Sequence, residues 1–144
     1  LSGCTVPARP WAPELTRLRG LVHEGTGFDA NFVLANLYRG GADCIGWHSD
    51  DEAGLGPQPE IVSLTFGTTR DSQLCRRDAH VSGIRTVTLP LPHGSLLMLR
   101  DPTNKLWLHQ LPRRGGADPG RIGPRLNLTW RRMGAALVGG SART

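Results

Sequence analysis

The chain has 144 residues, 38% of them apolar, with 17 Lys and Arg against 12 Asp and Glu for a formal charge of +5. That length suffices for one packed domain and not for two. No apolar run approaches the roughly 20 residues that cross a bilayer, so no membrane partner is expected, and the positive surplus permits a polyanion such as nucleic acid.

Cys4, Cys44 and Cys75 are odd in number, widely spaced and without a CxxC pair, which argues against a disulfide framework or thiolate zinc site and for a reducing compartment, cytoplasmic or nuclear. The chain opens on Leu1 rather than Met, and its first eight residues have neither the charged start nor the apolar stretch of a signal peptide; it is expected to be a piece of a longer protein. Pro13 suits a first helical turn, Leu15, Leu18, Leu21 and Val22 follow at helical spacing, and Gly25 offers a stop, which predicts an amphipathic helix over about 13 to 24. From Asn31 the period becomes two: Phe32, Leu34, Asn36 and Tyr38 share one face of a strand, Val33, Ala35 and Leu37 the other.

Short apolar runs recur at 61–66, 84–91, 95–99, 106–111 and 125–130, separated by Gly, Pro, Asp and Asn clusters. Many short strands after one helix predict a mainly β fold, a sandwich or jelly roll with the amphipathic helix packed on a sheet. Residues 112–124 read as a loop, residues 134–144 as a disordered tail, and residues 1–133 as one domain.

Trp47-His48-Ser49-Asp50 sets an imidazole and a carboxylate two residues apart, so in extended backbone both emerge on one side and can hold one ion. Alone, such a pair is equally a solvated surface dipeptide. A third donor has to come from elsewhere, and His109, inside the apolar run from Leu106 to Leu111, is the candidate, since a buried imidazole needs a partner. Two His and one carboxylate leave open positions on an octahedral ion, the arrangement of non-haem Fe(II) oxygenases.

Arg125-Leu126-Asn127-Leu128-Thr129-Trp130-Arg131 alternates polar and apolar throughout. If Leu126, Leu128 and Trp130 pack outward, then Arg125, Asn127, Thr129 and Arg131 face the interior, where guanidiniums require anions and a dicarboxylate is a sensible occupant. The other reading makes this the wet side of an edge strand. Asn36 and Tyr38 offer neutral hydrogen bonds to the same ligand. With the two arginines read as a carboxylate clamp, Arg131→Ala is expected to raise the dicarboxylate requirement and leave metal binding nearly intact.

The blocks NFVLANLYRGGADCIGWHSDDE, PEIVSLTFG, LPLPHGSLLMLRDPTNKLWLHQLPR and GPRLNLTWR, in that order, resemble the AlkB family of nucleic-acid demethylases, in its eukaryotic-type branch that repairs alkylated DNA or RNA, over about residues 10 to 133. The resemblance implies a double-stranded β-helix that uses Fe(II), 2-oxoglutarate and O2. By position it implies that His48, Asp50 and His109 bind iron, that Asn36, Tyr38, Arg125, Asn127, Thr129 and Arg131 bind 2-oxoglutarate, and that Asp51, with Glu52 beside it, contacts the target base. The implied reaction hydroxylates an N-methyl group of a base such as 1-methyladenine or 3-methylcytosine, releasing formaldehyde, succinate and CO2.

Two departures accompany the match. The family's nucleotide-recognition lid, which would precede Leu1, is expected to be lacking from this chain, and Ser72 follows Arg70-Asp71 where relatives tend to carry Phe. The resulting expectation is a monomer acting on alkylated DNA or RNA. The alternatives are a 2-oxoglutarate-dependent hydroxylase of protein or small molecules, and a non-catalytic nucleic-acid binding module.

Overall fold

The computed structural model describes residues 9–83, 86–114 and 122–134. Helix α1 (Pro13–Thr26) begins on Pro13, where a missing N–H costs nothing, and ends two residues later than the spacing predicts. Gly25 is carried inside the last turn, Thr26 donates its hydroxyl to the Val22 carbonyl at 2.6 Å, and Gly27, at φ 72°, closes onto the His23 carbonyl in the left-handed conformation that Gly adopts without strain.

Eight strands follow: β1 (Phe32–Tyr38), β2 (Ile45–His48), β3 (Ile61–Gly67), β4 (Arg70–Arg76), β5 (Thr86–Leu91), β6 (Leu96–Leu99), β7 (Trp107–Leu111) and β8 (Arg125–Arg131). They form two antiparallel sheets, in the orders β1-β8-β3-β6 and β2-β7-β4-β5. Apart from the β4–β5 hairpin, strands consecutive in sequence alternate between the sheets, which is the jelly roll that the strand pattern predicts and the double-stranded β-helix that the resemblance implies. Strands β2 and β4 and the four-residue helices α2 (Ala79–Ser82) and α3 (Thr103–Leu106) are additions to the sequence expectation. Residues 84 and 85 of the expected run at 84–91, residues 115–121 of the expected loop and residues 135–144 of the expected tail lie outside the described residues. No helix among the described residues is long and apolar enough to cross a membrane.

The two-residue period of β3 and β8 divides the core in two. On the outer face of the first sheet, Val62, Leu128 and Trp130 pack against Val22 of α1 and against Phe28 and Ala30 beyond it, with Trp11 stacked on Trp130 at 5.7 Å between ring centroids. Between the sheets, Leu55, Ile61, Leu74 and Leu99 form a second cluster. Strand β8 is central, pairing with β1 and β3, so each of its inward side chains has two cross-strand neighbours: Thr129 lies opposite Leu34 and Ser63, Asn127 opposite Asn36 and Thr65, and Arg125 opposite Tyr38 and Gly67.

Gly67 fixes the near end of this row. Its φ is 87°, and a Cβ there would stand 2.4 Å from the Pro124 carbonyl oxygen, which accepts from Thr68 N–H at 2.9 Å. The β3–β4 turn therefore sits directly on the residue before Arg125. Trp130 fixes the other face: it is fully buried, so Trp130→Ala should cost about 3–5 kcal/mol of unfolding free energy in a urea titration. A loss below about 1 kcal/mol would mean that α1 does not anchor β8.

Candidate active site

The inward faces of both sheets enclose a cavity of about 570 Å³. Its walls carry His48, Asp50 and Glu52 from β2 and the turn after it, His109 from β7, Asn36 and Tyr38 from β1, and Arg125, Asn127, Thr129 and Arg131 from β8. All the residues predicted from spacing and resemblance line this one space except Asp51.

His48 and His109 face each other across the β2–β7 pair, with ring centroids 4.2 Å apart. Together with Asp50 they offer three ligand atoms that all lie within 4.8 Å of one another. The His48 Nδ1 is 2.8 Å from the Gly46 carbonyl oxygen, which only accepts, so Nδ1 bears the proton and Nε2 keeps a free lone pair. Burial, followed by the nearby charges of His48 and Arg131, lowers the His109 pKa to about 4, and its ring is neutral near pH 7. Its Nε2 is 3.9 Å from the Asp50 carboxylate, too far for a hydrogen bond, and both atoms are available to a shared ion. Two imidazoles and one carboxylate suit a divalent metal.

Asp50 is 4% exposed and held on two sides. Arg131 donates to Oδ1 at 2.5 Å, and Asn104, on α3, donates to its backbone carbonyl at 2.8 Å. Arg131 also donates to Glu52 at 3.0 Å, so its guanidinium bridges two carboxylates. It therefore supports a carboxylate of the three-donor set, a contact that the sequence reading of Arg131 as a dicarboxylate clamp does not include.

Arg125 is the contrasting case. Only 3% exposed, it donates to Thr65 Oγ1 at 2.9 Å and Asn127 Oδ1 at 3.0 Å, its guanidinium lies 5.4 Å above the Tyr38 ring, and its Nε has no hydrogen-bond partner among the described residues. No carboxylate among the described residues lies within salt-bridge distance, and burial lowers its pKa. Asn127 in turn accepts from Ser63 at 2.8 Å and donates to Thr129 at 2.9 Å, so these two residues brace the row. The Asn36 amide and Tyr38 hydroxyl line the cavity with no hydrogen-bond partner among the described residues. A buried cation beside unused neutral donors fits a carboxylate ligand.

Asp51 lies at the exposed rim outside the cavity lining, accepting from Ser49 at 2.8 Å and from Arg77 at 3.3 Å; the Ser49 bond first and the Arg77 charge second hold its pKa below the usual carboxylate value. Glu52, the residue after it, lines the cavity. Asn104, Ser63 and Thr65 were not legible as site residues, because each is a lone polar residue whose role depends on a partner far away in sequence.

The model of the 2OG-Fe(II) oxygenase superfamily matches residues 3–131, and the chain belongs to that superfamily, whose cofactors are Fe(II) and 2-oxoglutarate with O2 as oxidant. Within it the relatives are of the AlkB type. The chain is 43% identical over 136 residues to the DNA oxidative demethylase ALKBH2 of Homo sapiens, covering 92% of this chain and 51% of that protein. It is 37% identical over 130 residues to the alpha-ketoglutarate-dependent dioxygenase alkB homolog 3 of Homo sapiens, covering 87% and 44%. The chain thus spans about half the length of these relatives. The solved structure of OsALKBH1 shares the fold, with a TM-score of 0.61 at 19% identity over 85% of this chain and 67% of that one.

The two arginines should respond oppositely to replacement. Arg131→Met strands the buried Asp50 carboxylate and should cost about 3–5 kcal/mol of stability in the ligand-free chain. Arg125→Met removes a buried charge with no carboxylate and should change that stability by less than about 1 kcal/mol, while abolishing the rise in melting temperature that 2-oxoglutarate gives with Mn(II). Equal behaviour of the two variants in both melts would refute this division of roles.

Proposed function

We propose that this chain is the catalytic unit of an Fe(II)- and 2-oxoglutarate-dependent dioxygenase that demethylates N-alkylated bases in DNA or RNA. The observation that carries the reading is one cavity holding a three-donor set, a buried guanidinium with no carboxylate partner among the described residues, and the acidic side chain of Glu52. The superfamily match over residues 3–131 supports treating residues 1–133 as that unit, followed by a tail. The DNA oxidative demethylase activity of the ALKBH2 relative supports the substrate class, and the alpha-ketoglutarate-dependent dioxygenase activity of the alkB homolog 3 relative supports the reaction type. The free thiols Cys44 and Cys75 support a reducing compartment, cytoplasmic or nuclear.

His48, Asp50 and His109 would hold the iron, which with 2-oxoglutarate and O2 supplies the oxidant for C–H hydroxylation, the co-substrate leaving as succinate and CO2. Arg125 takes the far carboxylate of 2-oxoglutarate, with Tyr38 and Asn36 offering the hydrogen bonds they do not spend elsewhere. Arg131 keeps Asp50 oriented. Leu34, Ile61, Leu91 and Leu99 line the cavity with hydrocarbon and limit water around the reacting carbon.

A hydroxymethyl group on a ring nitrogen breaks its C–N bond to release formaldehyde, so hydroxylation alone restores the base. Bases methylated at these nitrogens are cationic, and the carboxylates of Asp51 and Glu52 favour them over neutral bases. The base has to leave its stack to reach this depth, which is least costly for a damaged or unpaired one.

The test is anaerobic loading with Fe(II), 2-oxoglutarate and an oligonucleotide carrying 1-methyladenine or 3-methylcytosine, followed by O2. One succinate and one formaldehyde per methyl lost are expected, and His48→Ala should abolish all three. Succinate without methyl loss would reject the nucleic-acid substrate and keep the oxygenase. No turnover, with His48→Ala equal to the parent, would leave only the binding module.

A further inference from the structure

Strand β2 is an edge strand of the second sheet, and it is irregular. Ile45 pairs with Leu111 and His48 with His109, three residue steps on β2 against two on β7, so β2 carries one extra residue between the pairs. Such a bulge twists an edge and re-aims a side chain. The segment it re-aims contains Trp47, which immediately precedes His48 and lines the mouth of the cavity while remaining 42% exposed.

Trp47 differs from the other three tryptophans. Trp11 and Trp130 stack on each other within the helix-side cluster, and Trp107 packs against the cluster between the sheets. Trp47 belongs to neither cluster, and among the described residues no ring or cation covers its faces and nothing accepts from its indole N–H. Hydrophobic packing therefore does not account for a large aromatic at this position. Ser49, two residues on, is held by Arg77, which also pairs with Asp51, so a flat apolar surface and an exposed, ion-paired guanidinium flank the same lip. An aromatic platform beside positive charge at the entrance of a cavity is the arrangement on which a nucleobase stacks while its backbone is held electrostatically.

The geometry points to Trp47 as a substrate-binding residue that stacks on a nucleobase at the mouth of the cavity. This rests on the nucleic-acid reading above and adds a second contact to it, one that carries affinity and leaves the chemistry to the donor set. Removing one base–aromatic stack should raise KM for a methylated single-stranded oligonucleotide about 10-fold while kcat changes little, and Trp47→Phe should recover most of the loss.

The experiment compares the parent, Trp47→Ala and Trp47→Phe in two ways: steady-state demethylation of that oligonucleotide, and anaerobic titration of tryptophan emission with the unmethylated oligonucleotide. The proposal expects the KM effect with rescue by Phe, and quenching in the parent that Trp47→Phe largely lacks, since Trp130 is buried and Trp11 and Trp107 pack against the hydrophobic clusters away from the cavity lining. An unchanged KM, or equal quenching in parent and Trp47→Phe, overturns it while demethylation by the parent upholds the nucleic-acid reading. A fall in kcat without a change in KM also overturns it, because it would make Trp47 a support for His48. A parent that neither demethylates nor quenches overturns both.

Discussion

The pleat of β8 drives every second side chain into the space between the sheets, and that constraint organises the molecule. Leu126, Leu128 and Trp130 have hydrocarbon to pack on because α1 and the Phe28 to Ala30 segment lie over the outer face. Arg125 and Arg131, on the inner face of the same strand, are then removed from water with their charge. A desolvated guanidinium is tolerated only where an anion or dense hydrogen bonding compensates, and the cavity solves this twice by different means. At one end the chain supplies the anions, Asp50 and Glu52. At the other it supplies hydroxyl and amide oxygens and the Tyr38 ring, and no carboxylate among the described residues.

That asymmetry connects stability to function. The Arg131 end is complete in itself and orients a carboxylate of the donor set, whereas the Arg125 end presents a buried cation that a carboxylate ligand would complete. Both ends are positioned by the same register, in which β8 runs between β1 and β3. The β3–β4 turn, closed against Pro124 through Gly67, makes the position of Arg125 a property of the sheet rather than of a loop.

What was legible in the sequence follows from these forces. Strand β8, the inner face of β1 and helix α1 alternate or repeat cleanly because each divides a dry side from a different environment, and the paired metal donors lie close enough in sequence to be read as a pair. Strand β4 was hidden because its buried positions include Arg70 and Ser72. Arg70 is tolerated there by donating to the carbonyls of Gly40, Asp43 and Pro112, partners that no local pattern announces. Strand β2 is four residues long with a bulge, which removes the alternation that would mark it. The support of Asp50 by Asn104, and the shared grip of Arg131 on Asp50 and Glu52, depend on contacts across half the chain. The turn after Asp50 likewise decides that Glu52 lines the cavity and Asp51 the rim, which adjacency in sequence does not distinguish.

The most direct measurement is a crystal structure of the chain grown anaerobically with Mn(II) and 2-oxoglutarate. The account predicts a metal ion bonded to His48 Nε2, Asp50 and His109 Nε2, with the far carboxylate of 2-oxoglutarate paired to Arg125 and Arg131 still on Asp50. A metal held by other residues, or a co-substrate that leaves Arg125 without a carboxylate, would contradict it.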